Sequence, residues 1–363
     1  MSALADDTDD ESLGSALRRS TLLRHGVFFV ALAAVLLVAT YLVSPFHDYE
    51  IAGVAIYTIA AAGLTVLTGA NGQISLGHGA LMMIGAYTTS VLLQWRPGLP
   101  MIVTLLGAVV STGLAGSIIG VAGARLRGPY LAGATLALAV ALPQIPLHFA
   151  GVFGGNQGLN VASPTSPAAL GADFPNERWL AWLCLAAALV TLFLLANLLS
   201  SSVGRRLRTV RDNEVAARLA GVDVARTQVL AFVISAVCAG LAGALFAYWV
   251  SITSPTGFTL TLSLQLLTAV VIGGLGSLTG AVWGSIILIY LPVLTGDLAS
   301  NLSLSSDVAN NVPLAIYGVV LVVAMLVFPR GLQGALVSLA RQLARVIRMR
   351  GTVLPAVPSA PEQ

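Results

Sequence analysis

SSSVGRRLRTVRDNEVAARLAGVDVARTQ, residues 200–228, is the one strongly charged stretch lying between long apolar runs. It holds Arg205, Arg206, Arg208, Arg211, Arg218 and Arg226 with Asp212, Glu214 and Asp223. Apolar segments dominate on both sides, so charge is gathered where water must be. Val203, Leu207 and Val210 recur at helical spacing, and Val215, Leu219 and Val222 form a second, rotated stripe. The pattern predicts two short amphipathic helices presenting a face to something outside the membrane. A solvated loop that only fixes topology is the competing reading, and pattern alone weighs the two evenly.

Outward from this segment the chain is 57% hydrophobic and only 9% charged, with a mean hydropathy of +0.89. Soluble domains carry about 25% charged residues, so the expected fold class is an all-α polytopic membrane protein in a lipid bilayer. All 18 basic residues are arginine and the net charge is +3. With the arginines in loops beside apolar runs, the basic balance points to membrane topology and to no nucleic acid. Cys184 and Cys238 both sit in apolar runs and read as small buried hydrophobes, with no metal site.

A bilayer core of about 30 Å calls for about 20 apolar residues per helix. That ruler predicts about ten transmembrane helices, near residues 27–45, 51–68, 76–93, 99–123, 129–149, 179–199, 228–250, 263–273, 279–293 and 312–328. Residues 262–291 could form one long span, but Gly273, Gly274, Gly276 and Gly280 interrupt it and favour a hairpin. With the N-terminus inside, the cytoplasmic segments hold every arginine except Arg96 and Arg178, and both termini fall on the cytoplasmic side. Residues 1–26 read as a disordered cytoplasmic tail, 27–328 as the transmembrane domain and 329–363 as a cytoplasmic tail. A cleaved signal peptide fits poorly, because the run 27–43 is long and no small-x-small site follows it. The outer side carries His47, Asp48 and Glu50, the loop 150–178 with Asn156, Asp173 and Glu177, and residues 296–311 with Asp297 and Asp307. The loop 150–178 is long enough for an external partner to dock, although a passive connection is the commoner case.

Small residues recur at spacings that let helices approach closely: Gly116 with Gly120, then Gly276, Gly280 and Gly284, and Gly240 between Ala236 and Ala244. Two breaks interrupt the spans. In LTGANGQISLGHGA, residues 67–80, glycines alternate with Asn71, Gln73, Ser75 and His78; in the fifth span Pro143 and Pro146 flank Gln144. Non-helical backbone at membrane depth is tolerated where it is buried in protein or lines a wet cavity. These five polar residues are therefore the candidate translocation path, though a lone histidine such as His78 is more often a satisfied structural one. The glycine-rich stretches 69–87 and 273–290 echo one another and suggest two repeated halves.

Absences narrow the chemistry. No span holds Asp or Glu away from its ends, which disfavours a proton- or sodium-coupled carrier. Without lysine there is no P-loop, and neither H-E-x-x-H nor G-x-S-x-G occurs, so no enzymatic activity and no bound cofactor are expected. Any energy comes from a partner. A passive channel for a small neutral solute stays open on these grounds.

Five segments in order, GLTVLTGANGQISLGHGALMMIGAY (63–87), ARLRGPYLAGATLALA (124–139), GGNQGL (154–159), GRRLRTVRDNEVAARLAGVDVARTQVLAFVISAVCAGLAGALFA (204–247) and VIGGLGSLTGAVWG (271–284), resemble the permease subunits of branched-chain amino acid ABC importers of the LivM type. The similarity covers about residues 50–330 and leaves both tails out. It implies that 200–228 is the coupling loop that docks an ATPase, with Arg211, Glu214, Ala216, Ala217, Arg218 and Gly221 as its core. The family's E-A-A-x-x-x-G pattern is matched at Ala216, Ala217 and Gly221; Val215 stands where Glu is expected, and Glu214 precedes it. The resemblance further implies a second homologous permease, two ABC ATPases that use the ATP, an extracytoplasmic substrate-binding protein, and residence in the plasma membrane of a prokaryote. Leucine, isoleucine and valine are the implied substrates, with urea or short amides as the runner-up.

Overall fold

The computed structural model describes residues 21–126, 129–171, 174–301, 316, 318–319, 322–323 and 331–351. The acidic tract, Arg127, Asp173, Asp307, residues 352–363 and most of the span expected at 312–328 lie outside the described residues.

The apolar runs fold as helices. They are α1 (Thr21–Tyr41), α2 (Pro45–Leu64, continued by a π-helical turn Thr65–Ala70), α3 (His78–Trp95), α4 (Met101–Gly123), α5 (Pro129–Ala141), and the short α6 (Gln144–His148) and α7 (Ala150–Phe153). After strand β1 (Leu159–Asn160) come α8 (Asn176–Ser200), α9 (Ser202–Asp212), α10 (Glu214–Leu219) and α11 (Val224–Val250). Strand β2 (Ile252–Thr253), α12 (Leu260–Gly273), α13 (Leu278–Asn301) and α14 (Gly331–Gly351) complete the described elements. Pro45–Ala70, Met101–Gly123, Tyr130–His148, Asn176–Ser200 and Val224–Val250 are each long and apolar enough to cross a bilayer; His25–Tyr41, Leu260–Gly273 and Leu278–Leu294 are shorter apolar helices. The chain is an all-α, multi-pass membrane protein.

α2 and α11 form the centre. α11 is lined by small residues on two faces, and α4, α3 and α2 close on it. On the α4 side, Gly116 leaves no room for a Cβ against Ala236, Gly120 lies over Phe232 and Val229, and Thr112 packs onto Gly240. On the α3 side, Gly85 touches the Gly240 backbone, and Gly243 fits against the Met82 carbonyl. With lipid as apolar as leucine, close packing and interhelical hydrogen bonds hold such helices together, so small residues at the crossings decide who neighbours whom.

α12 and α13 form an antiparallel hairpin about the turn 274–277, where Gly274 and Gly276 adopt φ of +123° and +83°. Its helices touch through Gly273 against Gly280 and Ala269 against Gly284. The first glycine-rich stretch takes a different path. α2 ends in the π-helical turn, residues 71–77 cross without helix, and α3 then packs on α11 and α4 with little contact to α2. The sequence echo between 69–87 and 273–290 therefore does not mark two equivalent hairpins: seven non-helical residues separate one helix pair, while a four-residue turn joins the other.

At the end of the bundle away from the arginines, the loop expected as a plain connection is folded. β1 pairs antiparallel with β2, Leu159 opposite Thr253 and Asn160 opposite Ile252. The Ser90 hydroxyl donates to Thr253 Oγ1 at 2.7 Å and ties this cap to α3. Beside it Arg178 pairs with the wholly buried Asp48 at 3.0 Å, stapling α8 to α2. At the arginine end α14 occupies part of the expected C-terminal tail, with Gly331 seated against Gly274.

Candidate functional site

The charged segment breaks into three helices because it carries three helix caps. The Ser201 hydroxyl accepts from the Val203 N–H, Asn213 Oδ1 accepts from the Val215 and Ala216 N–H groups, and Asp223 Oδ1 accepts from the Arg226 N–H. α10 ends in a Schellman turn: the Gly221 N–H donates to the Arg218 carbonyl at 3.0 Å and the Val222 N–H to the Ala217 carbonyl at 2.9 Å. Gly221 has φ of +79°, a conformation glycine adopts without strain. Ala217 is fully buried against Val210 and Val224, where a larger side chain would lift α10 off its neighbours. The spacing of Ala216, Ala217 and Gly221 is thus the spacing of one short packed helix and its stop signal.

The two apolar stripes part ways on α9 and α10, while Val222, the last residue of the second, packs beside Val210, Ala217 and Val224. Leu207 and Val210 are buried beneath α9, because that helix lies flat on the end of the bundle. The expectation that the first stripe faces an outside partner is corrected here. Val215 and Leu219 on α10 are 67% and 85% exposed. Glu214 turns inward, its Oε1 accepting from Gln228 Nε2 at 3.0 Å, while its Oε2 stands 3.7 Å from Arg218.

Residues 71–77 are non-helical backbone supported by side chains from distant helices. The Leu76 N–H donates to Thr135 Oγ1 and the Gly79 N–H to Ser263 Oγ, both at 3.0 Å. Within the segment Asn71 Nδ2 donates to Gln73 Oε1 at 2.8 Å, and Ser75 Oγ accepts from the Gly77 N–H. Asn71 Oδ1 is buried without a partner, as are the hydroxyls of Thr65 and Thr68 on the turn leading into it. His78 is wholly buried, with Nε2 donating to the Ala60 carbonyl at 2.9 Å and Nδ1 3.4 Å from Ser235 Oγ. That is a satisfied histidine joining α2, α3 and α11.

A cavity of about 580 Å³ opens between this break and the charged segment, lined by Asn71, Gln73, Arg211, Asp212, Glu214 and Gln228 among others. Arg211 bridges the two regions, Nη1 donating to the Gly69 carbonyl at 2.8 Å. Asn71 and Gln73 therefore share one polar space with Arg211 and Glu214. Ser75 and His78 are buried next to it in the chain, outside the cavity lining. Gln144 is not brought to the same place. It is exposed at the α5–α6 break, near the far end of the span, beside an apolar cavity of about 430 Å³ lined by Tyr87, Leu142, Pro146 and Phe153. Pro143 sits between the two helices and Pro146 inside the second, so the break exists, but it turns Gln144 outward.

Sequence reasoning missed Thr135 and Ser263. Thr135 stands nearly alone as a polar residue in an apolar helix, which is a visible signal, whereas Ser263 is one of several polar residues in α12; the partner is 59 residues away for one and 184 for the other. Among the described residues no cluster of ligating side chains suited to a metal ion occurs.

Residues 48–328 match the family described as "Branched-chain amino acid transport system / permease component". The high-affinity branched-chain amino acid transport system permease protein LivM of Escherichia coli is 30% identical over 300 residues, 76% of this chain and 67% of that protein. The corresponding LivH protein of Salmonella typhimurium is 26% identical over 299 residues, 77% of this chain and 91% of its own. A probable LivM permease of Methanocaldococcus jannaschii is 24% identical over 196 residues, 52% of this chain and 56% of its own. No solved structure matches the chain. The match over most of its length, across the broken span, the capped charged segment and the glycine-packed helices alike, places the chain in the family of permease components of branched-chain amino acid transport systems.

Proposed function

We propose that the chain is the membrane-spanning subunit of an ATP-driven ABC importer for leucine, isoleucine and valine, seated in the plasma membrane of a prokaryote with both termini in the cytoplasm. The observation that carries this reading is α10, a capped helix packed on the bundle through Ala217 while Val215 and Leu219 stand in solvent. An apolar pair held out on a rigid charged helix is a knob for a partner's cleft. The partner is a cytoplasmic ATPase, one of two, and ATP is bound there. The capped α9–α10 unit joins α8 to α11, so movement of the ATPase displaces α11 and the helices packed on it as a body. The passage then opens alternately to each side, and this chain makes and breaks no covalent bond.

A second, related permease completes the membrane part, and the β1–β2 cap with the loop before α8 receives the extracytoplasmic binding protein. The relatives, permease proteins of branched-chain amino acid transport systems, support the substrate class. Proteoliposomes holding the chain with its co-permease, ATPases and binding protein test the reading through uptake of labelled leucine and urea. Leucine uptake that vanishes without ATP or without binding protein is expected. Urea uptake alone would keep the machine and change its cargo; uptake by this chain alone would overturn the ABC reading.

A further inference from the structure

α2 does not end as an α-helix normally does. Its last turn is π-helical, with the Asn71 N–H reaching back to the Val66 carbonyl and the Gln73 N–H to the Leu67 carbonyl. Among the described residues no backbone N–H donates to the Gly69 carbonyl, and the group that does is the guanidinium of Arg211, 142 residues later, at 2.8 Å. π-helical turns are uncommon and are frequent at functional sites.

We propose that Arg211 is a positioning residue: a latch through which the docking segment holds the broken end of α2, so that movement of α9 and α10 reaches the candidate path directly as well as through the attached spans. Two close approaches fix the geometry. Gly72 has φ of +78°, and a Cβ there would stand 2.8 Å from Arg211 Cγ, so the chain wraps the arginine stem with no clearance. Gly69 in turn lies against the turn of the last hairpin, where a Cβ would come within 2.6 Å of Gly276 Cα. Gly69 therefore connects the docking segment through its carbonyl and the α12–α13 turn through its Cα, two residues before Asn71 and four before Gln73. Asp212 Oδ1 orients the guanidinium by accepting from Nε at 2.9 Å, which leaves Nη1 aimed at Gly69. The cavity alongside gives the freed segment somewhere to move. Buried atoms without protein partners, Asn71 Oδ1 and the Thr65 and Thr68 hydroxyls, gather at this end of α2.

The transport part of this proposal rests on the ATP-driven permease reading, whereas the latch itself does not. Two measurements separate them. In the purified full chain, Arg211→Ala and Gly72→Ala are each expected to raise hydrogen exchange of the backbone amides of residues 71–77 at least tenfold, with α11 unchanged and Arg211→Lys restoring part of the protection. In the assembled transporter Gly72→Ala, which lies outside the docking segment, is expected to keep the ATPases bound but to hydrolyse at least tenfold more ATP per leucine imported. Unchanged exchange at residues 71–77 would overturn the latch. Raised exchange with an unchanged ATP-to-leucine ratio would overturn its part in transmission. Wild-type complex in which ATP drives no uptake would overturn the permease reading and the transmission with it, and exchange alone would then decide the latch.

Discussion

His78 shows how a polar residue inside a bundle serves structure. Its Nε2–H is used by the Ala60 carbonyl and its Nδ1 faces Ser235, so no lone pair or proton is left for a passing solute. His78→Ala is expected to cost about 2 kcal/mol or more, since it opens a cavity and leaves a buried carbonyl unpaired. Thermal unfolding in detergent would read that loss, and the preference among leucine, isoleucine and valine should not move; a changed preference would return His78 to the path. Arg178 and Asp48 form a second such point. Asp48 is wholly buried and Arg178 nearly so, and Arg178 also donates to the Val43 carbonyl. Arg178→Ala would leave a buried carboxylate without its cation, at a cost of about 3–5 kcal/mol, and Arg178→Lys should recover part of it in the same unfolding measurement. Neither pairing was legible in sequence. Asp48 read as outer-surface polarity with His47 and Glu50 because nothing local says that a residue 130 positions later folds over it.

Elements were more legible than residues, because helix caps and small-residue spacing are local. Gly116, Gly120 and Gly240 stood out by spacing, and each sits at a close crossing of α4 and α11, Gly240 beneath the Thr112 side chain. Gly116→Leu should force the helices apart and lower stability by about 1–3 kcal/mol or prevent assembly, whereas Gly133→Leu, whose Cβ would meet nothing within 4 Å, should leave unfolding unchanged. Equal effects of the two would contradict the packing account. The apolar stripes showed two short helices, and the three caps Ser201, Asn213 and Asp223, which the stripes did not single out, cut the charged stretch into its helices. Asn213→Ala is expected to cost about 1 kcal/mol, seen as faster hydrogen exchange in α10 alone. The glycine-rich echo misled for a physical reason. Glycine permits many backbone paths, so two similar glycine patterns can become a π-helical turn with a long crossing in one place and a tight hairpin in another. Likewise one stripe of the charged segment turned inward: hydrophobic periodicity shows that a face is apolar and is silent about what covers it.

For the whole molecule, the path of the chain follows from where arginine is and is not. The arginine-rich segment, the break after α2 and the α12–α13 turn all gather at one end, as Arg211, Gly69 and Gly276 show by contact. The β1–β2 cap and the Arg178–Asp48 pair close the other end. The number of crossings and the side of each terminus were argued from charge and length, and most of the last expected span lies outside the described residues. Gln144 marks the reach of sequence reasoning for the path: a polar residue between prolines is visible, but its direction depends on how the broken span packs. In the proposed function α10 is the place where a partner's work enters the membrane. Its most direct test is the affinity of the purified ATPase for the reconstituted permease pair, wild type against Val215→Asp with Leu219→Asp in this chain. The account predicts at least a tenfold loss of affinity with an unchanged unfolding temperature, because both side chains are already in solvent. Binding as tight as wild type would contradict it.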